Sequence, residues 1–446
     1  MAAVLHDTAA GEASREADLR RRDRTRLLSL HAQRPSWSRA LLLLLLVAGP
    51  GMLVMLGDND AGGVITYATT GARYGVGFFV PFLILMVPVA YLVQEMTVRL
   101  GAVSQKGHAE LIFDRFGRFW GWFAMADLVV GNVLTLVTEF IGMAAGLSIF
   151  GVPLAAAVIG SACLVAALAA IQRYMTAERI TLGLAALNLV FLPLALRAHP
   201  SAAAIAAALA HWTLPGGLTN GVLFLIIANV GTTIAPWMLF YQQGATVDKG
   251  LTPRDIRQGK TDTLVGSVVM GIVAVAIVVL TGTVLFPRGI AVSGLSAAQW
   301  AQTLQPFLGT TAARLFGLGL FEAGLVAAVT ISLSSAWAVG EVTGRTHSLN
   351  APLRQAPLFY GVYGGSIAAA AAVVLIPHAP LQLITLTVQV VATLLMPPAL
   401  VFLLLLANDR EIMGPHRNSR ATNICAGGVV AMILALSTLY GLTTLL

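Results

Sequence analysis

Windows of roughly 20 apolar residues, the length that crosses a bilayer as a helix, recur eleven times along this chain of 446 residues. They lie near 40–73, 76–99, 119–148, 152–171, 179–197, 220–243, 263–286, 312–343, 358–377, 381–407 and 424–445. A composition 57% hydrophobic and only 11% charged, with mean hydropathy +0.82, excludes a soluble globular protein. The chain therefore reads as an all-α, multi-pass membrane protein, with the lipid bilayer as its surroundings. The net charge of +7 loses its suggestion of a nucleic-acid partner once mapped. With the N-terminus inside, 23 of the 27 Lys and Arg fall in the tail and in the inward loops. The remaining four are Arg73, Arg197, Arg288 and Arg314. That bias predicts a cytoplasmic N-terminus and an outer C-terminus in the cell (inner) membrane.

Residues 1–39 are polar and Arg-rich and read as a disordered basic cytoplasmic tail. The two cysteines, Cys163 and Cys425, lie in apolar segments and read as inert packing residues rather than a disulfide or a metal finger. No phosphate loop, dinucleotide fingerprint, nucleophile elbow or zinc-protease helix occurs. Neither an enzyme nor a cofactor is expected, and no obligate protein partner is implied.

Two of the spans are interrupted. In GPGMLVMLGDNDAGGVITYATTGARYG (49–75) the apolar run meets Asp58, Asn59, Asp60, Gly62 and Gly63 halfway across. In NGVLFLIIANVGTTIAPWMLFYQQ (220–243), Gly231, Thr232, Thr233 and Pro236 do the same. A helix broken inside lipid exposes backbone groups, which is tolerated where the break lines a polar cavity. The breaks fall in spans 1 and 6, five apart, and an odd number of spans per repeat inverts the second copy in the membrane. Paired breaks in inverted halves mark a midplane binding site. The expected organisation is a transport domain over 40–407, with repeats 40–197 and 220–407. A cytoplasmic loop and an accessory helix follow over 408–446.

Carboxylates in the membrane are costly and mark ion or substrate paths. Asp58 and Asp60 suit a divalent cation that prefers oxygen ligands; either, Asp58 ahead of Asp60, also suits capping of the second half-helix. Thr232 and Thr233 offer hydroxyls and freed carbonyls, or bond back to their own helix. Gln389, in mid-span, reads equally as interhelical glue and as a group near the ion. Glu139 in span 3 is expected to face a wet vestibule or to be protonated, and Asp127, Glu322 and Glu341 raise the same question. Glu95 is expected to pair with Arg99 one turn on. The eight histidines (6, 31, 108, 199, 211, 347, 378 and 416) all fall outside the spans, which argues against a histidine proton relay.

Several stretches together resemble one family. GPGMLVMLGDNDAGG resembles the first-helix GPG…DPGN motif of the Nramp divalent-metal transporters, with Asp60 on its aspartate, Ala61 on its proline and Gly63 on its asparagine. RLGAVSQKGHAEL resembles the loop after the second helix. TEFIGMAAGLSIFGVP resembles the third helix, with Glu139 on its glutamate. GTTIAPWMLFYQQ resembles the sixth-helix GATVMPHNLYLHS, and VQVVATLLMPPALVFLLLLANDREIMG the tenth helix, with Gln389 on its glutamine. The resemblance runs from about 49 to 422 and implies a LeuT-type 5+5 inverted repeat with discontinuous helices 1 and 6 and eleven transmembrane helices.

This sequence departs from the family pattern at four positions. Ala235 stands where the family has its metal-binding methionine, Trp237 replaces a histidine, Gly63 the asparagine ligand, and Leu136 the aspartate one turn before Glu139. The pattern is similar to the Nramp-related magnesium transporters (NRMTs). It implies import of hydrated Mg2+, and of Mn2+ as a second substrate, without obligatory proton coupling. The implied metal site comprises Asp60, Asp58, Gly63, Thr232, Ala235 and Gln389, with Glu139, Trp237 and Leu136 at a vestibule or proton route. The chemistry agrees: losing a thioether removes a soft ligand, and two smaller side chains, at 63 and 235, leave room for the waters that Mg2+ keeps. A proton-coupled Mn2+ or Fe2+ transporter remains the nearest alternative. An organic-substrate carrier of the same fold is another, though two aspartates at the break oppose a substrate carboxylate. A metal sensor is a third, without a signalling domain to support it.

Overall fold

The computed structural model describes Gly49 to Leu445, apart from Ala291, Ser293, Gly294, Ser296, His378 and Pro380. The basic tail, the first residues of span 1, and His6, His31 and His378 thus lie outside the described residues. Within them the chain is helical, with no strand. Span 1 is the broken pair α1 (Pro50–Asp58) and α2 (Ala61–Tyr74), followed by α3 (Phe79–Ser104). A short loop helix, α4 (His108–Phe116), leads to α5 (Arg118–Ser148) and α6 (Leu154–Ala169). Span 5 is α7 (Tyr174–Ala185), a 3₁₀ stretch (Ala186–Val190) and α8 (Phe191–Arg197). After the loop helix α9 (Ala202–His211) comes the second broken pair, α10 (Asn220–Thr233) and α11 (Pro236–Asp248). Then follow α12 (Ile256–Val284), the loop helix α13 (Ala297–Leu308), α14 (Thr310–Thr343), α15 (Pro357–Val374) and α16 (Leu381–Asn408). The single turn α17 (Arg410–Met413) leads to α18 (Arg420–Leu445).

Nine helical segments of the described residues are long and apolar enough to cross a membrane. The other two expected spans are the interrupted α1–α2 and the 16-residue α6. The packing follows the inverted repeat. α12 lies against α1 and α2, and its counterpart α3 lies against α11. α10 packs on α16, and α1 packs on α7. α5 packs on α15, and α14 on α6. The two-fold partners α5 and α14 form an extensive central contact. There Asn132 donates to the Ser334 and Ser335 hydroxyls, both at 2.8 Å, an interhelical tie that needs no charge.

The expected Glu95–Arg99 pair forms at 3.1 Å, and Lys260 joins it at 2.5 Å. The cysteines differ from expectation: Cys163 and Cys425 are both exposed. They sit on the outer faces of α6 and α18, where a small apolar thiol suits lipid as well as a core. A run of exposed aromatics, Phe119, Trp120, Trp122 and Phe123, opens α5 and fits a membrane interface.

Candidate functional site

The two breaks meet in the middle of the bundle, α1 against α11 and α2 against α10. Pro236 explains one of them. It has no N–H to donate, so a helix restarts at it rather than running through, and Ile234 and Ala235 are extended. At the other, Asp60 is extended and caps α2, its Oδ1 accepting the Gly63 N–H at 2.5 Å. Of the two aspartates, Asp60 and not Asp58 is thus the capping residue. The helix N-terminus carries partial positive charge, and a second carboxylate uses it. Glu139 Oε2 accepts the Ala61 N–H at 2.8 Å, while its Oε1 accepts the Thr138 hydroxyl at 2.8 Å.

Glu139 therefore does not face a wet vestibule. It is fully buried, as are Leu136 beside it and Trp237. Its carboxylate braces the start of α2. Trp237 packs behind α1, where a Cβ added at Gly57 would stand 3.5 Å from its ring. The histidines among the described residues stay outside the long spans. His108, at the start of α4, is buried, and its Nδ1–H donates to Gln243 Oε1 at 2.9 Å. Burial pushes its pKa down to about 4, leaving it neutral.

Gly62 and Gly63 let three elements converge. A Cβ at Gly62 would collide with Gln389 Nε2, and one at Gly63 with Thr232 Oγ1. This corrects the idea that Gly63 leaves space for water: the Thr232 hydroxyl already fills it. Ala235 is buried at the second break, and its N–H is directed at Met238 Sδ, 3.4 Å away. A thioether is therefore present beside the break, bent back on the backbone from the next turn of α11.

Asp58, Asp60, Gly63, Thr232, Ala235 and Gln389 are all buried around the paired breaks. Buried polar atoms without a completed hydrogen bond gather there: Asp58 Oδ2, Asn59 Oδ1, Tyr67 OH, Thr232 Oγ1 and Gln389 Nε2. The Gln389 amide faces Asp60. Each such atom costs about 1–3 kcal/mol if left unpaired, so their concentration points to a polar occupant. Carboxylate, hydroxyl and amide oxygens beside freed helix-end carbonyls form the donor set that hard cations prefer.

Tyr67 went unread in the sequence, although it lies seven residues, two turns, beyond Asp60 on one helix face. Three charged groups at the basic ends of the helices were also missed. Asp262 of α12 accepts the N–H groups of Gly49 (2.9 Å) and Gly51 (2.8 Å), and Lys249 pairs with Glu178 at 2.7 Å. Glu341 caps α4 across a loop, accepting the Ala109 N–H at 3.0 Å. Glu322 is buried facing Asn188 in the 3₁₀ stretch, and Asp127 lies half-buried on the outward face of α5. A cavity of about 480 Å3 lies away from the breaks, lined by Glu110, Asp248, Trp337, Glu341 and His347 among others.

The profile of the family described as "Natural resistance-associated macrophage protein-like" (Nramp) matches residues 51–443. A protein from Aeromonas hydrophila named divalent metal cation transporter MntH is 26% identical over 409 residues, covering 88% of this chain and 94% of its own length. One of the same name from Verminephrobacter eiseniae is 27% identical over 417 residues, covering 91% of each. Among solved structures, the Eremococcus coleocola manganese transporter, in complex with an aromatic bis-isothiourea compound, superposes with a TM-score of 0.74. It does so at 20% identity, over 91% of this chain and 87% of that one.

Proposed function

The chain belongs to the Nramp family of membrane transporters, and from that premise we propose that it imports divalent metal ions, hydrated Mg2+ first and Mn2+ second, without obligatory proton coupling. The observation that carries this reading is the buried cluster of unsatisfied oxygens at the two helix breaks. In it Asp60, Asp58, Gln389 and the helix-end backbone at Thr232 hold the ion, partly through its waters, beside Gly63 and Ala235. Ala235 brings no sulfur of its own, and Met238 Sδ already takes a backbone N–H, which favours a hard ion over a soft one. Leu136 and Trp237 supply no titratable group for a proton route. The four departures from the family pattern favour the magnesium-transporting branch. In this reading the chain sits in the inner membrane with its N-terminus cytoplasmic, an orientation that the Lys and Arg distribution favours. A divalent ion entering a negative interior gains about 4.6 kcal/mol per 100 mV, twice the single-charge value, so no second ion is needed.

A second reading is proton-coupled Mn2+ import, favoured by the names of the relatives. Flux into proteoliposomes with an internal pH dye separates the two, using Mg2+, Mn2+, Ca2+ and Zn2+. The expected result is Mg2+ and Mn2+ entry at constant lumenal pH, abolished in Asp60→Ala. Lumenal acidification in step with the metal, blocked by Glu139→Gln, establishes the coupled reading instead.

A further inference from the structure

We infer that the Tyr67 hydroxyl, with Thr232 Oγ1 and Asp58 Oδ2, holds a water of the transported ion and so sets how much of its hydration the ion keeps. The inference rests on the divalent-cation reading of the same site and adds a residue to it. Tyr67 is fully buried, and a buried phenol ordinarily finds a hydrogen-bond partner. Its OH faces the Thr232 and Thr233 hydroxyls across the second break without closing a hydrogen bond of normal geometry. It stands in the field of Asp58 first and Asp60 second. The Thr233 hydroxyl is already committed, donating to Asn229 O at 2.7 Å. Thr232 Oγ1 is uncommitted and reaches its place because Gly63 has no side chain.

A neutral phenol adds little as a direct ligand where carboxylates and carbonyls are at hand, and hard cations take the latter. It is well suited to a metal-bound water. Such a water has its oxygen on the ion and two polarised hydrogens to donate. One hydrogen goes to Asp58 Oδ2 and another, from the same or the neighbouring water, to the Tyr67 oxygen. Tyr67 in turn donates its own hydrogen to Thr232 Oγ1. One hydrated cation thereby satisfies three atoms that the protein leaves unpaired. Because Tyr67 lies two turns along α2 from Asp60, it reaches the ion's water rather than the ion, from the α2 side.

The test compares wild type and Tyr67→Phe for uptake of Mg2+ and of Mn2+ separately, in the full-length protein in proteoliposomes. Mg2+ sheds water reluctantly, so losing a water-holding group raises the Mg2+ KM about five- to tenfold, the cost of one ordinary hydrogen bond. The Mn2+ KM moves less than about twofold on the same scale. Thr232→Val, which removes the other hydroxyl while keeping the side-chain shape, shifts the ratio in the same direction. It keeps the question answerable if Tyr67→Phe does not fold. The Mg2+-induced rise in melting temperature of detergent-purified protein shrinks in parallel. Equal losses for both ions, or no change in either, overturn the inference while leaving divalent transport intact. A wild type that carries no Mg2+ removes the hydrated-ion reading itself and the inference with it.

Discussion

Gly63 and Ala235 are both smaller than the family's residues, but the structure surrounds them differently. At Gly63 the missing side chain is replaced by the Thr232 hydroxyl, against which an added Cβ would collide. At Ala235 the backbone N–H faces Met238 Sδ, and a longer side chain can be accommodated if the break repacks around it. The two substitutions therefore part company. Ala235→Met is expected to fold and to raise the Mn2+ to Mg2+ flux ratio, mainly through loss of Mg2+, because it adds bulk and a soft sulfur. A structure of the variant with its sulfur in the site and an unchanged ratio would move selectivity elsewhere, Asp58 first. Gly63→Asn is expected to behave as overpacking, costing about 1–3 kcal/mol and lowering flux of both ions alike. Melting temperatures alongside uptake distinguish the two outcomes, and pairing Gly63→Ala with Thr232→Ala recovers part of the loss.

At the level of elements, the half-helix α1 is held at its N-terminal end by groups from elsewhere. No side chain of its own caps its N-terminus. Instead, both oxygens of Asp262 on α12 accept from Gly49 and Gly51, with Lys249 beside the carboxylate. Lys249 also pairs with Glu178 on α7, so three spans are tied at the basic end. Asp262→Ala leaves two N–H groups unpaired and is expected to cost about 2–6 kcal/mol, about 1–3 for each, read as a lower melting temperature with Mg2+ absent. Asp262→Asn keeps one acceptor and is expected to fall between. If both variants melt with the wild type, water substitutes for the cap and the tie is dispensable.

For the whole molecule, the driving force tests the proposed transport without touching the site. With pH equal on both sides, uptake of Mg2+ is expected to rise with an inside-negative potassium-diffusion potential and to fall when the potential is reversed. Imposing a pH gradient at zero potential is expected to leave the initial rate unchanged within about twofold, since electrical work on a divalent ion is about 4.6 kcal/mol per 100 mV. A rate that follows the pH gradient and ignores the potential would point to proton-driven transport.

What the sequence determined by itself is the order of the spans. Eleven apolar windows and breaks five spans apart are local signals, and both reappear in the helices and their mirrored contacts. Asp58, Asp60, Thr232 and Gln389 were legible for the same reason, since a polar residue inside an apolar span is conspicuous without any fold. The tertiary structure decided what these groups touch. That Asp60 rather than Asp58 caps α2, that Glu139 braces its first N–H, and that Thr232 fills the space above Gly63 are contacts between segments up to about 170 residues apart. Tyr67 and Asp262 stayed hidden because a tyrosine in a span and an aspartate near a helix end look ordinary in sequence. Only the convergence of the two broken helices sets the one against the Thr232 and Thr233 hydroxyls, and only the approach of α12 to α1 makes the other a cap.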